Sequence, residues 1–256
     1  MAKFDSNGVS INYAVEGSGP EIVLVHGFAS SFDGNWRRPG ILDALVKSGR
    51  RVVALDCRGH GESGKPHDPK AYADNAMVND VIALMDHLGI ETADLMGYSM
   101  GGIISATLLT TRPERFRSVI LSGVGDAVAT GGLPRERAES IARAMESDDG
   151  GTSENETARN FRIFAERTGS DLLALAAMQK TPRRHSYDPS ALGKVTLPVL
   201  VLLGEGDTLV GRGDKLAAAI PGAKLVMVPG DHLTAVGPAL ARAAVEFLAE
   251  ASPVPA

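Results

Sequence analysis

The sequence predicts an α/β fold: a mostly parallel sheet with helices on both faces and a small helical insertion. Three observations carry this. Apolar runs, most of them branched-aliphatic, recur at residues 21–25, 51–55, 94–96, 118–122, 198–203 and 224–228, and continuous runs without alternation mark strands covered on both faces. Segments with helical apolar spacing separate most of them, the rhythm of a parallel sheet joined by right-handed crossovers. Between residues 124 and 194 the strand runs stop and only helical patterns remain.

Taken in order, residues 9–15 alternate and predict a half-exposed antiparallel strand at the sheet edge. Gly17-Ser18-Gly19-Pro20 breaks the chain before the first buried strand, which runs into His26-Gly27-Phe28. Residues 41–47 read as a helix stopped by Ser48-Gly49. The next strand leads into Asp56-Cys57-Arg58-Gly59-His60-Gly61-Glu62-Ser63, a loop dense in charge and glycine. Residues 74–88 place Ala76, Val81, Ile82, Leu84, Met85 and Leu88 at helical spacing, and Gly89 closes the helix. A short strand then meets Ser99, followed by a helix to about residue 112 that ends at Pro113. Within the insertion, residues 135–145, 154–168 and 171–180 read as helices. Phe161 and Phe164 share one side of the second, and Leu172, Leu173, Leu175 and Met178 supply the apolar residues of the third. The loop 147–153 separates two of these helices. After the last two strands, residues 238–249 form the closing helix and residues 252–256 a frayed tail. The expected division is a core of residues 1–123 and 195–256 with a helical cap at 124–194.

Composition limits the partners. The 256 residues carry 26 Lys+Arg against 31 Asp+Glu, a formal charge of −5. Mild acidity without a basic block argues against nucleic acid or an anionic membrane as partner. The N-terminal residues lack a signal-peptide apolar region, and no apolar run approaches the ~18 residues of a membrane span. The expectation is a cytoplasmic protein without membrane insertion. Cys57, the single cysteine, cannot form an internal disulfide and reads as a packed, inert thiol. No metal-ligand cluster or nucleotide-binding glycine fingerprint occurs, so no cofactor is expected.

The chemistry concentrates at Gly97-Tyr98-Ser99-Met100-Gly101. This G-x-S-x-G pattern between a strand and a helix is a nucleophile elbow. A turn that sharp strains the serine backbone and leaves no room for side chains two residues to either side. It also sets the hydroxyl beside a helix N-terminus, where unpaired N–H groups and the helix dipole favour developing negative charge.

Five blocks in order, His26-Gly27-Phe28, Asp56 to Ser63, Gly97 to Gly102, Gly204-Glu205-Gly206-Asp207 and Gly230-Asp231-His232, carry a resemblance to the α/β-hydrolase fold superfamily. The likeness is to its serine esterase and perhydrolase branch and spans nearly the whole chain, weakest at 124–194. It implies a catalytic triad of Ser99, Asp207 and His232, with the Phe28 and Met100 N–H groups as the oxyanion hole. Asp126 is the alternative acid, because some members of the superfamily carry theirs after the preceding strand. Asp231 adjoins the histidine but points elsewhere. His26 and His60 read as loop-fixing residues rather than bases, and Arg183-Arg184 as a solvated pair rather than an anion site.

The implied activity is hydrolysis of a small carboxylic ester through an acyl-enzyme. Thioester, lactone or carbon-carbon bond hydrolysis and cofactor-free perhydrolysis share the same triad. Haloalkane dehalogenases and epoxide hydrolases of the superfamily place an aspartate where this chain has Ser99. A ligand receptor on the same fold is the alternative of another class.

Overall fold

The computed structural model describes residues 1–131, 134–148, 155–181 and 188–254. Its eight strands are β1 (Ala2–Ser6), β2 (Val9–Glu16), β3 (Glu21–Val25), β4 (Arg51–Leu55), β5 (Ala93–Tyr98), β6 (Phe116–Ser122), β7 (Val199–Gly204) and β8 (Lys224–Val228). They form one sheet in the order β1-β2-β4-β3-β5-β6-β7-β8. β1 with β2 and β2 with β4 are antiparallel, and every other pairing is parallel. The helices are α1 (Ile41–Lys47), α2 (Ala76–His87), α3 (Met100–Thr111), the short α4 (Asp126–Ala129), α5 (Arg135–Glu146), α6 (Glu156–Arg167), α7 (Leu172–Lys180), α8 (Asp214–Ala219) and α9 (Pro238–Ala251).

The two-residue period of a strand divides the core into two layers. Ile22 and Leu24 of β3 face Ile41, Leu42 and Leu45 of α1 and Leu240, Phe247 and Leu248 of α9. Val23 and Val25 face the opposite way, toward Val81 and Leu84 of α2 and Ile104 and Leu108 of α3. Both faces are therefore covered, as the unbroken aliphatic runs require.

The edge differs from the sequence reading: β1 lies outside β2. Asn7 and Gly8 at φ 53° and 81° form the turn between them, the left-handed pair that a tight hairpin needs. Phe4 of β1 packs edge-on against Tyr13 and stacks on His87 of α2 with ring centroids 5.1 Å apart. One apolar anchor in a polar five-residue strand is too little pattern to read, although Asn-Gly marks the turn.

The rim opposite the carboxyl ends of the strands is tied by charge. Asp94 at the start of β5 pairs with the buried Arg50 and with Arg117 at 3.2 Å, and accepts from Ser118 Oγ at 2.9 Å. Arg50 also donates to the Leu248 and Ser252 carbonyls at the end of α9. Removing one member of a buried pair strands the other charge, a loss of about 3–5 kcal/mol. Asp94→Asn is expected to lower unfolding free energy in urea by that amount; a loss below about 1 kcal/mol would contradict this reading of the network.

Helices α4 to α7 all lie between β6 and β7, where the strand runs stop. Their bounds differ from the sequence reading at the caps. The Asn155 side chain accepts the Ala158 N–H and so starts α6 at Glu156, and Asp171 caps α7 through the Ala174 N–H. Leu175 and Met178 of α7 are buried, but Leu173 is 52% exposed and stands outside the packed face. Among the described residues no helix is long and apolar enough to cross a membrane. Arg183-Arg184, part of the 147–153 loop and the last two residues of the tail lie outside the described residues.

Candidate active site

Ser99 sits between β5 and α3 with φ 54° and ψ −112°, a conformation that a residue with a Cβ adopts only when its surroundings enforce it. Its N–H donates to the Ser122 carbonyl of β6 at 2.8 Å, and its carbonyl accepts the Ile103 N–H of α3 at 3.0 Å. A Cβ at position 97 would lie 2.0 Å from the Gly101 carbonyl oxygen, and one at 101 would lie 1.9 Å from that of Val25. Only glycine lets helix and strand approach closely enough to make the turn.

Two loops from other strands reach this serine. His232, after β8, has Nε2 2.9 Å from Ser99 Oγ and Nδ1 2.7 Å from Asp207 Oδ2. Asp207 follows β7, its side chain is fully buried, and its other oxygen accepts the Leu209 N–H at 3.0 Å. A carboxylate only accepts, so the imidazole proton lies on Nδ1, leaving the Nε2 lone pair for the serine hydroxyl. Tyr98, the residue before the serine, donates its hydroxyl to the His232 carbonyl at 2.6 Å and so fixes the histidine loop from below. Sequence reasoning missed Tyr98; a hydroxyl on a strand residue that packing buries was the available signal. Burial raises that phenol's pKa, with Asp207 and Asp231 adding to the effect, so it stays a donor.

The other sequence candidates fall elsewhere. Asp126 accepts the Lys215 N–H of α8 at 2.9 Å. Asp231 accepts the Leu233 and Thr234 N–H groups, each at 2.9 Å, and the Thr234 hydroxyl. Those bonds from Thr234 hold its carboxyl below the usual range. His26 bridges two loops, Nδ1 to the Gly27 carbonyl at 2.7 Å and Nε2 accepting the Cys57 N–H at 2.9 Å. His60 Nδ1 lies 3.0 Å from the Arg58 carbonyl, and burial, seconded by His26, pushes its pKa down to about 3. The Cys57 thiol is buried, and burial raises it well above the ordinary value.

The loop after β3 carries Phe28. Asn35 Oδ1 accepts the Gly27 N–H at 2.8 Å, and a Cβ on Gly27 would sit 3.4 Å from that of Ser99, which sets this backbone against the serine. Among the described residues no acceptor engages the N–H of Phe28 or of Met100. The Phe28 ring meets Phe161 of α6 edge-on at 5.4 Å. Two cavities meet here, of about 440 and 520 Å³, and Ser99, Phe28, Phe161 and Leu209 line both. One opens toward α5 and the other contains His232 and Asp207.

Comparison with known proteins agrees with this architecture. The chain is 34% identical over 114 residues to an epoxide hydrolase of Caballeronia sordidicola, covering 44% of this chain and 34% of that one. It is 41% identical over 131 residues to the dihydrolipoyllysine-residue acetyltransferase component of the acetoin cleaving system of Cupriavidus necator, covering 50% and 33%. The alignments thus span about a third of these curated relatives. The enol-lactonase of Burkholderia xenovorans LB400 superposes with a TM-score of 0.77 at 25% identity, covering 96% of this chain and 99% of that structure. The family model for the alpha/beta hydrolase fold matches residues 20–197. With its sheet order and its elbow at Ser99, the chain belongs to the alpha/beta hydrolase fold family.

Proposed function

We propose that this protein is a serine hydrolase of small carboxylic esters. The observation that carries the reading is the unbroken hydrogen-bond chain from Ser99 Oγ through His232 to the buried Asp207, at the junction of two cavities. Ser99 Oγ attacks the carbonyl carbon while His232 Nε2 takes its proton, and Asp207 stabilises the resulting imidazolium. The carbonyl oxygen becomes an oxyanion held by the Phe28 and Met100 N–H groups, the second at the N-terminus of α3. The intermediate collapses, His232 returns the proton to the departing alcohol, and an acyl-serine remains. Water, deprotonated by the same imidazole, then releases the acid. The described residues of the 124–194 segment act as a cap that walls the cavities, with Phe161 meeting Phe28 of the oxyanion loop.

A lactone is a second reading, favoured by the full-length likeness to an enol-lactonase; ring opening is the same attack with a tethered leaving group. Epoxide hydrolysis, the activity named for one relative, suits this elbow poorly because that chemistry in the superfamily uses an aspartate where Ser99 stands.

Labelling by a fluorophosphonate together with repeated turnover of short-chain nitrophenyl esters tests the proposal; labelling without turnover would favour a ligand receptor. The rate is expected to fall on the acid side, because a protonated His232 cannot accept the serine proton. A rate that does not fall on the acid side while the protein stays folded would contradict histidine as base. The folded fraction is to be monitored in the same samples. His26 and His60 are buried with pKa values lowered by burial, so below about pH 6.5 the unfolded chain binds protons that the folded one refuses and stability declines.

A further inference from the structure

The two cavities differ in charge. The one that holds His232 also carries the carboxylates of Glu156, Asp207 and Asp231. The other has an apolar floor, including Ile103, Val124 and Ile141, and a wall that carries one carboxylate, Glu139, and three cations: Arg135, Arg137 and Lys180. Two of these are neutralised. Arg135 pairs with Glu139 at 2.9 Å and Lys180 with Glu146 at 2.5 Å. Arg137 of α5 differs: among the described residues its one side-chain hydrogen bond runs from a terminal nitrogen to the Leu209 carbonyl at 3.1 Å, and no carboxylate there lies at ion-pairing distance from it.

A guanidinium offers five N–H donors in a planar fork that matches a carboxylate. Burial works against the Arg137 charge and Asp207, on the far side of the Leu209 peptide, works for it. A half-buried cation that makes one side-chain hydrogen bond among the described residues, in a cavity that also contains Ser99, is suited to pair with an anion.

We propose that Arg137 binds a carboxylate on the substrate, so that the preferred substrate is the half-ester of a small dicarboxylic acid or a lactone bearing a carboxylate. This rests on the hydrolase reading above. With the carbonyl at Ser99, the charged end of such a molecule lies in the cavity under α5, and its methylene chain lies against the apolar floor.

The test compares monomethyl adipate with methyl hexanoate in the intact protein. The wild type is expected to favour the half-acid in kcat/KM by at least about tenfold, and Arg137→Gln to reduce that ratio about 10- to 100-fold, mainly through KM, as loss of a charge-assisted hydrogen bond dictates. Arg137→Lys should restore part of the preference. Equal slowing of both esters in kcat would overturn the proposal, because it would make Arg137 a brace for the Asp207 loop; an unchanged ratio would overturn it too. Adipate is used in parallel as a thermal-shift ligand. If neither ester turns over, the ester reading fails, yet a rise in Tm with adipate in the wild type and not in Arg137→Gln would still support the anion site. Ester turnover with no half-acid preference and no adipate shift sinks the anion site and leaves the hydrolase standing.

Discussion

Ser99→Ala is expected to lower kcat on a turned-over ester by about 10⁶, the loss seen when a serine hydrolase is deprived of its nucleophile alone. The size follows from the division of labour. In the proposed mechanism the hydroxyl forms the covalent bond, so its removal leaves His232 Nε2 with no proton to take and the oxyanion donors with no tetrahedral oxyanion to hold. Alanine tolerates φ 54° no worse than serine does, and the anchoring bonds to Ser122 and Ile103 are backbone bonds. The variant should therefore fold, and circular dichroism would verify that the loss is chemical. Retention of more than about a tenth of the rate would remove Ser99 as nucleophile.

Asp207→Asn comes next, with an expected fall of about 10⁴ in kcat. Nearly isosteric asparagine can turn its amide toward His232 and donate to Nδ1, which shifts the imidazole proton to Nε2. An N–H then faces the serine where a lone pair is needed. KM should change little, since Asp207 touches the histidine and the Leu209 backbone rather than the reacting carbonyl. Asp126→Asn is the control; its carboxylate serves the start of α8, and a small effect is expected on the rate. A near-normal rate for Asp207→Asn with a collapse for Asp126→Asn would transfer the acid role.

The parts legible in the sequence are those that local physics fixes. Unbroken runs such as Ile22 to Val25 and Val199 to Leu203 have one comfortable home, a strand covered on both faces, so the parallel strands were readable. The elbow was readable because its two glycines flank the serine in a five-residue pattern: Gly97 answers to a backbone clash with Gly101 itself, and Gly101 to one with Val25 of β3. The acid was a matter of resemblance rather than pattern: Asp126 and Asp207 follow adjacent strands, and only the docking of α8 reveals that the first is engaged elsewhere. β1 escaped notice because Phe4 is its lone apolar anchor, and α8 because six residues with one fully buried leucine show no period. The charge difference between the cavities was beyond reach, since it depends on where α5 and α7 place Arg137 and Lys180 relative to distant Glu146 and Leu209.

The relay from carboxylate to imidazole to hydroxyl is tested most directly by mapping a fluorophosphonate adduct by peptide mass spectrometry, with its rate of formation followed in the wild type and in His232→Gln. A single adduct on Ser99, formed at least about a thousandfold more slowly without the imidazole, is the predicted result. An adduct on another residue, or one that forms on Ser99 equally fast in His232→Gln, would contradict it.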